Sequence, residues 1–412
     1  MNDLRARIAA IVERDRARRG DAFSAGAGLD RGVDGDGADR NPLYATGTPH
    51  RGQRADRDAA PRLRPGGWLP IARGPSVGAA PASPGFEVRE RRIDVDELGL
   101  EVVGRGAVDP LLAAHLGLRG PVPDRWEDVV FLDTETTGLA GGTGTYVFLI
   151  GLARFAAREL VMRQHLLLDL SAEPRFVAAL EEELNPVRAC ASYNGKTFDL
   201  PLIRARFVMT LHRELTVDES HLDLLHPARR LWRDRFGSTS LRQLESSVLD
   251  DARVVDIPGA LIPDAYFHYL RRGDPAIIAP VLEHNARDVV SLVRITDRVA
   301  RAVLLARAGR APDHAPAALA LARVFERTGE LDAAYACYES AYYDGDNHLR
   351  VKLALSFARA LERRGEPERA ARMLETLLEL GLGTAPWRAQ AEARVRRLSR
   401  RRWKPASVTA LS

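Results

Sequence analysis

Asp133 and Glu135 stand two positions apart at the end of a short apolar run, Asp128-Val-Val-Phe-Leu-Asp133. In a strand, residues i and i+2 share a face, so both carboxylates are delivered to the same side of a sheet. Paired surface acids are ordinarily just solvated. A pair that follows a buried-type run and precedes Thr136-Thr137-Gly138 reads instead as half of a cation site. Asp199 follows Ser192-Tyr193-Asn194-Gly195-Lys196-Thr197-Phe198, where a strand ends in a polar loop and a helix opens. Alone it would be no more than an N-cap. Asp288 closes Glu283-His284-Asn285-Ala286-Arg287-Asp288 within a helical pattern, four residues after His284 and therefore on the same helical face. An acid beside Val289 and Val290 is costly to bury unless a cation or a partner holds it. Four acids presented by strand, helix start and helix face are what two-metal phosphodiester hydrolysis requires, with Asp133, Glu135, Asp199 and Asp288 ligating two Mg2+ or Mn2+ ions through hard oxygen donors. Neither Cys190 nor Cys337 has zinc-type partners nearby, so zinc is unsupported.

These residues need a sheet to carry them. Asp128–Asp133, Tyr146–Phe155 and Leu160–Asp169 read as an antiparallel three-stranded meander, preceded by an edge strand over Phe86–Val95. Glu173–Leu184 has helical spacing and stops at Asn185-Pro186; Val187–Tyr193 reads as a strand and Asp199–Val208 as a helix. Further helices are predicted over Leu222–Trp232, Leu241–Leu249 and Pro280–Leu304. A meander followed by alternating helix and strand is the order of an α/β mixed sheet flanked by helices.

Beyond Ala311 the pattern is helical and repeats. Leu321–Ala334 aligns with Phe357–Ala370 at a period of 36, with Gly329 and Gly365 at equivalent turns, close to the period of about 34 of tetratricopeptide helix pairs. Two such units need a neighbour to cover their apolar faces, and a last helix over Trp387–Trp403 caps the stack. The expected organisation is a tail over 1–85, a nuclease-type domain over 86–305, tetratricopeptide-like repeats over 311–403 and a tail over 404–412.

Composition fits two folded units. The chain has 412 residues, 45% hydrophobic and 28% charged, and 60 basic against 56 acidic residues give a net charge of +4. The basic side is nearly all Arg, which mildly favours a polyanionic partner. Two cysteines make no disulfide framework and fit a reducing cytoplasm. Met1–Arg19 is interrupted by charge and lacks a signal-peptide core, and Tyr146–Ala157 is too short and too charged to cross a bilayer. The expectation is a cytoplasmic protein without a membrane span.

Phe131-Leu-Asp-Thr-Glu-Thr-Thr-Gly-Leu139 resembles the first motif of the DnaQ-like, or DEDD, exonucleases; Asn194–Asp199 resembles the second and His284–Asp288 the third. The longer runs, FLDTETTGLAGGTGTYVFLIGLARF, SYNGKTFDLPLIRARF, HLDLLHPARRLW and LEHNARDVVSL, resemble more closely the YprB-type ribonuclease H-like family, whose members often carry tetratricopeptide repeats. The resemblance implies a ribonuclease H-like fold, metal ligation by Asp133, Glu135, Asp199 and Asp288, and attack from the 3′ end of DNA or RNA. It also implies that His284 orients or deprotonates the attacking water. Here the register departs from the family: the histidine subclass places its base five residues before the last Asp, whereas His284 lies four before Asp288 and Glu283 occupies the five-back position.

Other residues admit two readings. Thr136, Gly138, Asn194 and Lys196 are candidate substrate contacts; Gly141-Gly142-Thr143-Gly144-Thr145 is either a close backbone approach to phosphate or a hairpin turn. Gly195-Lys196-Thr197 imitates a phosphate-binding loop, but the upstream Gly would fall on Cys190, and the motif fails. Asp223 reads as an auxiliary acid or, more simply, a cap, and Ser240 as a helix cap. Tyr266, Phe267 and Tyr269 either stack on bases or pack the core. The alternative to an enzyme is a nucleic-acid-binding scaffold whose repeats recruit a protein partner; such a scaffold would be expected to have lost at least one of the four acids.

Overall fold

The computed structural model describes residues 69–70, 85–104, 106–118, 120–138, 144–215 and 220–401. Apart from 69–70 and Gly85, the expected N-terminal tail lies outside the described residues, as do the 404–412 tail and residues 139–143 of the glycine-rich segment.

Seven strands form one mixed sheet: β1 (Leu69–Pro70), β2 (Phe86–Asp94), β3 (Val129–Thr136), β4 (Val147–Ala156), β5 (Glu159–Leu167), β6 (Ala189–Ser192) and β7 (His221–Asp223), in the order β1-β2-β5-β4-β3-β6-β7. Strands β3, β4 and β5 make the antiparallel meander, while β6 and β7 continue the sheet in parallel with β3. The β3–β4 register slips between Glu135 and Thr136, a bulge where the carboxylates emerge. Strand β2 is not a bare edge, because the two-residue β1 pairs with it.

Helices cover both faces. On one side α2 (Glu173–Leu184), α3 (Asp199–Leu211) and α6 (Ile262–Arg272) pack on Val130, Leu132, Phe148 and Ile150. On the other, α1 (Pro110–Leu116), α4 (Leu225–Phe236), α5 (Leu241–Ser247) and most of α7 (Pro275–Arg307) pack on Val129, Phe131 and Ala153. Two covered faces explain why β4 is buried along almost its whole length rather than alternating. The parity of β3 follows: Phe131, and by alternation Asp133 and Glu135, face α7, while Thr134 faces α3.

The segment predicted as a helix over Leu222–Trp232 divides instead into β7 and α4. Three residues of strand are too few to show a period, and their pairing with β6 (Cys190 with His221, Ser192 with Asp223) supplies the stability that local propensity does not. Helix α7 begins five residues earlier than predicted: Asp274 caps it by accepting the Ala276 N–H at 3.0 Å, and Pro280 sits inside it.

Beyond α7 the chain is helical: α8 (Ala315–Thr328), α9 (Leu331–Asp344), α10 (Asn347–Arg363), α11 (Pro367–Glu379) and α12 (Ala385–Arg401). Gly329 (φ 83°) and Gly365 (φ 80°) adopt the left-handed conformation at equivalent turns, after α8 and after α10. The apolar core is continuous from Phe131 through Val289 and Val303 to Phe325 and Phe357, so these helices share their core with the sheet domain.

Candidate active site

Asp133 lies in a row that crosses the sheet, paired with Gly151 of β4, which is paired with Gln164 of β5. A Cβ on Gly151 would come within 2.4 Å of Asn285 Oδ1 and 2.8 Å of Val289 Cγ2, so the glycine is what lets α7 settle onto the sheet here. Asn285, fully buried, then reaches Asp133, its Nδ2 donating to the Oδ2 carboxylate oxygen at 2.9 Å and to the main-chain carbonyl at 3.1 Å. Gln164 Nε2 donates to Asn285 Oδ1 and to the Leu282 carbonyl, each at 2.8 Å, which fixes the direction of the Asn285 amide.

Asp199 enters from the opposite face of the sheet at the first position of α3, and Thr134 Oγ1 donates to its Oδ1 at 2.5 Å. The preceding loop is shaped by three features. Buried Asp223 accepts the backbone N–H groups of Asn194 (2.8 Å), Lys196 (3.3 Å) and Leu225 (3.1 Å), while Asn194 itself has φ 66°. Gly195 donates its N–H to Ser192 Oγ at 3.1 Å, and a Cβ there would collide with that hydroxyl at 2.0 Å. Asp223 is therefore a clamp on the loop. Lys196, Thr197 and Phe198 are exposed on it, with Thr197 Oγ1 donating to Asn194 Oδ1 at 2.9 Å. After β3, Thr136 Oγ1 donates to the Gly138 carbonyl at 2.8 Å.

Asp288 and His284 meet a partner set that the motifs did not reveal. Arg253, in the connection between α5 and α6, grips Glu245 with two bonds of 2.5 and 2.6 Å, donates to Asp256 Oδ2 at 3.0 Å and also donates to Asp288 Oδ1. Asp256 Oδ1 lies 2.6 Å from His284 Nδ1. The other ring nitrogen, Nε2, is 3.8 Å from Glu135 Oε1 and 3.6 Å from Asp288 Oδ2. His284 thus bridges the strand acid and the helix acid.

The electrostatics follow from burial of like charges. Burial, then Asp288, Glu135 and Asp199, push the Asp133 carboxyl well above the usual range. Burial, with Asp288 and Asp199 adding to it against the pull of His284, lifts Glu135 to about 8. Asp199 rises to about 6 through burial, opposed by the Thr134 hydrogen bond. For His284 burial works against the charged form, yet the bond to Asp256 and the charges of Asp288 and Glu135 prevail and raise it to about 9. The buried carboxylates repel one another, and hard oxygen donors of this kind suit Mg2+ or Mn2+, so the donor chemistry fits the expected cations. Among the described residues, however, no group of three or more His, Cys, Asp or Glu is arranged to hold a metal ion. One oxygen each of Asp133, Asp199 and Asp288 is bonded to Asn285, Thr134 and Arg253.

Tyr266 is buried and stacked on Phe148 with ring centroids 3.9 Å apart, and Phe267 and Tyr269 pack against the same core. Ser240 caps α5, its Oγ accepting the Gln243 N–H at 3.3 Å. Gly151 carried a usable signal, since a glycine inside an apolar central strand marks a close approach. Arg253 and Asp256 carried none, lying in an aperiodic loop.

Residues 130–300 match the RNase_H_2 family model, of the RNase_H superfamily. A Bacillus subtilis (strain 168) protein, "Uncharacterized protein YprB", is 34% identical over 235 residues, which cover 56% of this chain and 56% of that protein. The family B DNA polymerase from the hyperthermophilic archaeon Pyrobaculum calidifontis aligns with 53% of this chain and 29% of its own at 17% identity and a TM-score of 0.34, too loose a superposition to argue from. Sheet order, flanking helices and the family match together identify the segment from residue 130 to residue 300 as a ribonuclease H-like domain.

Proposed function

We propose that the protein is a divalent-metal-dependent nuclease, a 3′-5′ exonuclease acting on DNA or RNA. The observation that carries the reading is the gathering of largely desolvated acids, in which the charges of Asp288, Glu135 and Asp199 raise Asp133 and those of Asp288 and Asp199 raise Glu135, with His284 Nε2 between Glu135 and Asp288. Like charges are held this close at a folding cost, and active sites are where such costs are met. Mg2+ or Mn2+ bound by Asp133, Glu135, Asp199 and Asp288 would supply the charge that activates water and stabilises the leaving oxygen. The chain's own residues do the rest. Asn285 and Thr134 orient two of the carboxylates, and His284 presents Nε2 to the attacking water. Exposed Lys196 meets a substrate phosphate, and Thr136, Gly138 and Asn194 border the terminal nucleotide. No described helix is long and apolar enough to cross a membrane; we place the protein in the cytoplasm, with the C-terminal helices as the surface for a protein partner.

The test is degradation of end-labelled single-stranded DNA and RNA with Mg2+ or Mn2+, labelled at either end, with Asp199→Asn as control. Loss of label from the 3′ end by the parent and not by the variant supports the reading. Intact substrates throughout, or a variant equal to the parent, would mean that the domain is a nucleic-acid-binding scaffold.

A further inference from the structure

Residues 248–258, between α5 and α6, bring two charged side chains to the site, and neither belongs to the four acids. Arg253 and Asp256 are buried and bonded on several sides: their side chains are 3% and 8% exposed, and Glu245, which grips Arg253, itself accepts the Ser291 hydroxyl of α7 at 2.6 Å. Their hydrogen bonds decide the chemistry of the His284 ring. Nδ1 stands 2.6 Å from Asp256 Oδ1 and 3.2 Å from Arg253 Nη1. A carboxylate only accepts. Were Nδ1 a bare lone pair, two acceptors would face each other at 2.6 Å; Nδ1 therefore carries the hydrogen and donates to Asp256. The Arg253 Nη1 group donates to the other Asp256 oxygen at 3.0 Å, and its approach to the ring follows from that bond. The neutral ring consequently has its lone pair on Nε2, the nitrogen that faces Glu135 and Asp288. Arg253 also takes Asp288 by Oδ1, while Oδ2 is the oxygen that faces Nε2.

We infer that Asp256 and Arg253 are positioning residues of this site: Asp256 fixes the tautomer and direction of His284, and Arg253 holds Asp288 by one oxygen so that the other faces the ring. Their effect on turnover rests on the nuclease reading; their effect on the ring does not.

The ring is read first, in the full-length metal-free protein labelled with 15N at histidine, by ring-nitrogen chemical shifts at an alkaline pH where His284 is neutral. The parent is expected to show the Nδ1–H tautomer, the less common form of an unconstrained histidine side chain, and Asp256→Ala to revert to Nε2–H. On an end-labelled oligonucleotide with Mg2+, Asp256→Ala and Arg253→Lys are expected to lower kcat about 10²-fold with KM nearly unchanged. Asp256→Asn, of the same shape, replaces the alanine variant in both measurements if that variant fails to fold. A ring that keeps Nδ1–H without the Asp256 carboxylate, or a kcat unaltered in both variants, overturns the assignment. If the parent cleaves no substrate, the nuclease reading fails by itself, and the tautomer alone then supports or overturns the role of Asp256.

Discussion

Asn285 Nδ2 donates to Asp133 Oδ2 at 2.9 Å, and this bond exists because Gly151, between the two elements, has no side chain. Removing the amide with Asn285→Ala leaves Asp133 without the hydrogen bond that opposes its raised pKa and leaves Gln164 with one fewer acceptor. A loss of about 1 to 3 kcal/mol is expected from unsatisfied buried groups, together with weaker Mn2+ binding. Urea unfolding and calorimetric titration measure both. A variant as stable as the parent, with unchanged affinity, would show that the bond is incidental.

Gly151→Ala tests the close approach itself. The new methyl would meet Asn285 and Val289 side chains at 2.4 and 2.8 Å; these belong to a long helix packed against the sheet, so relief requires α7 to move. Overpacking of this kind costs about 1 to 3 kcal/mol. The expected readouts are a lower Tm and loss of nuclease activity greater than stability alone explains, and a Tm within a degree of the parent counts against the packing argument.

The meander, the flanking helices and three of the motifs were legible because each is local: an apolar run, a stop at Asn185-Pro186, a spacing of four between His284 and Asp288. What escaped depends on contacts far apart in sequence. Strand β7 is three residues long and exists through its pairing with β6; Arg253 reaches Asp288 across 35 positions, and Gln164 reaches Asn285 across 121. The same limit applies to Asp223, whose carboxylate holds the Leu225 N–H at the start of α4, as a cap would, and also clamps a loop 27 to 29 positions away.

That clamp gives a third prediction. Asp223→Ala removes the acceptor of the Asn194 and Lys196 N–H groups, so the loop that presents Asp199 loses its shape. Activity is expected to fall by about 10²-fold or more, as misplacement near an angstrom costs, and amide exchange at Asn194 and Lys196 is expected to rise while that of α9 and α10 is unchanged. Protection that stays as in the parent would remove the clamp from the account.

The buried pair between Arg206 of α3 and Glu173 of α2 ties the helix that carries Asp199 to its neighbour, with side chains 7% and 6% exposed. Glu173→Gln leaves a guanidinium buried without its counter-charge, at a cost of about 3 to 5 kcal/mol. Thermal unfolding of that variant should show a drop in Tm; an unchanged Tm would mean that Arg206 finds solvent.

The last prediction concerns pH in the metal-free protein. Glu135 and His284 have folded pKa values of about 8 and about 9, both above their ordinary values of 4.5 and 6.5. The folded state therefore holds protons that the unfolded chain has released, and stability falls as pH rises. For His284 the stabilisation is complete below 6.5 and is lost as pH passes about 9; for Glu135 the penalty of the buried charge is complete above about 8. His115, His165 and His221 work the other way, because burial lowers each to about 4, and their contribution is present above 6.5 and lost as pH falls through 4. From about pH 7.5 to about 9 those three are neutral in both states and contribute no slope, and the buried Cys190 and Cys337 thiols, raised from 9 to about 12, add to the fall only at its alkaline end. In EDTA, Tm is expected to fall across this window, and Mg2+ or Mn2+ to restore it most at the alkaline end, where the carboxylates are charged. Glu135→Gln removes the charge that helps to hold the His284 proton, so its slope should be shallower and the His284 pKa, followed by NMR, lower than in the parent. A Tm flat from about pH 7.5 to about 9 in EDTA, or a slope that Glu135→Gln leaves untouched, would be incompatible with a carboxylate cluster that lacks its cation.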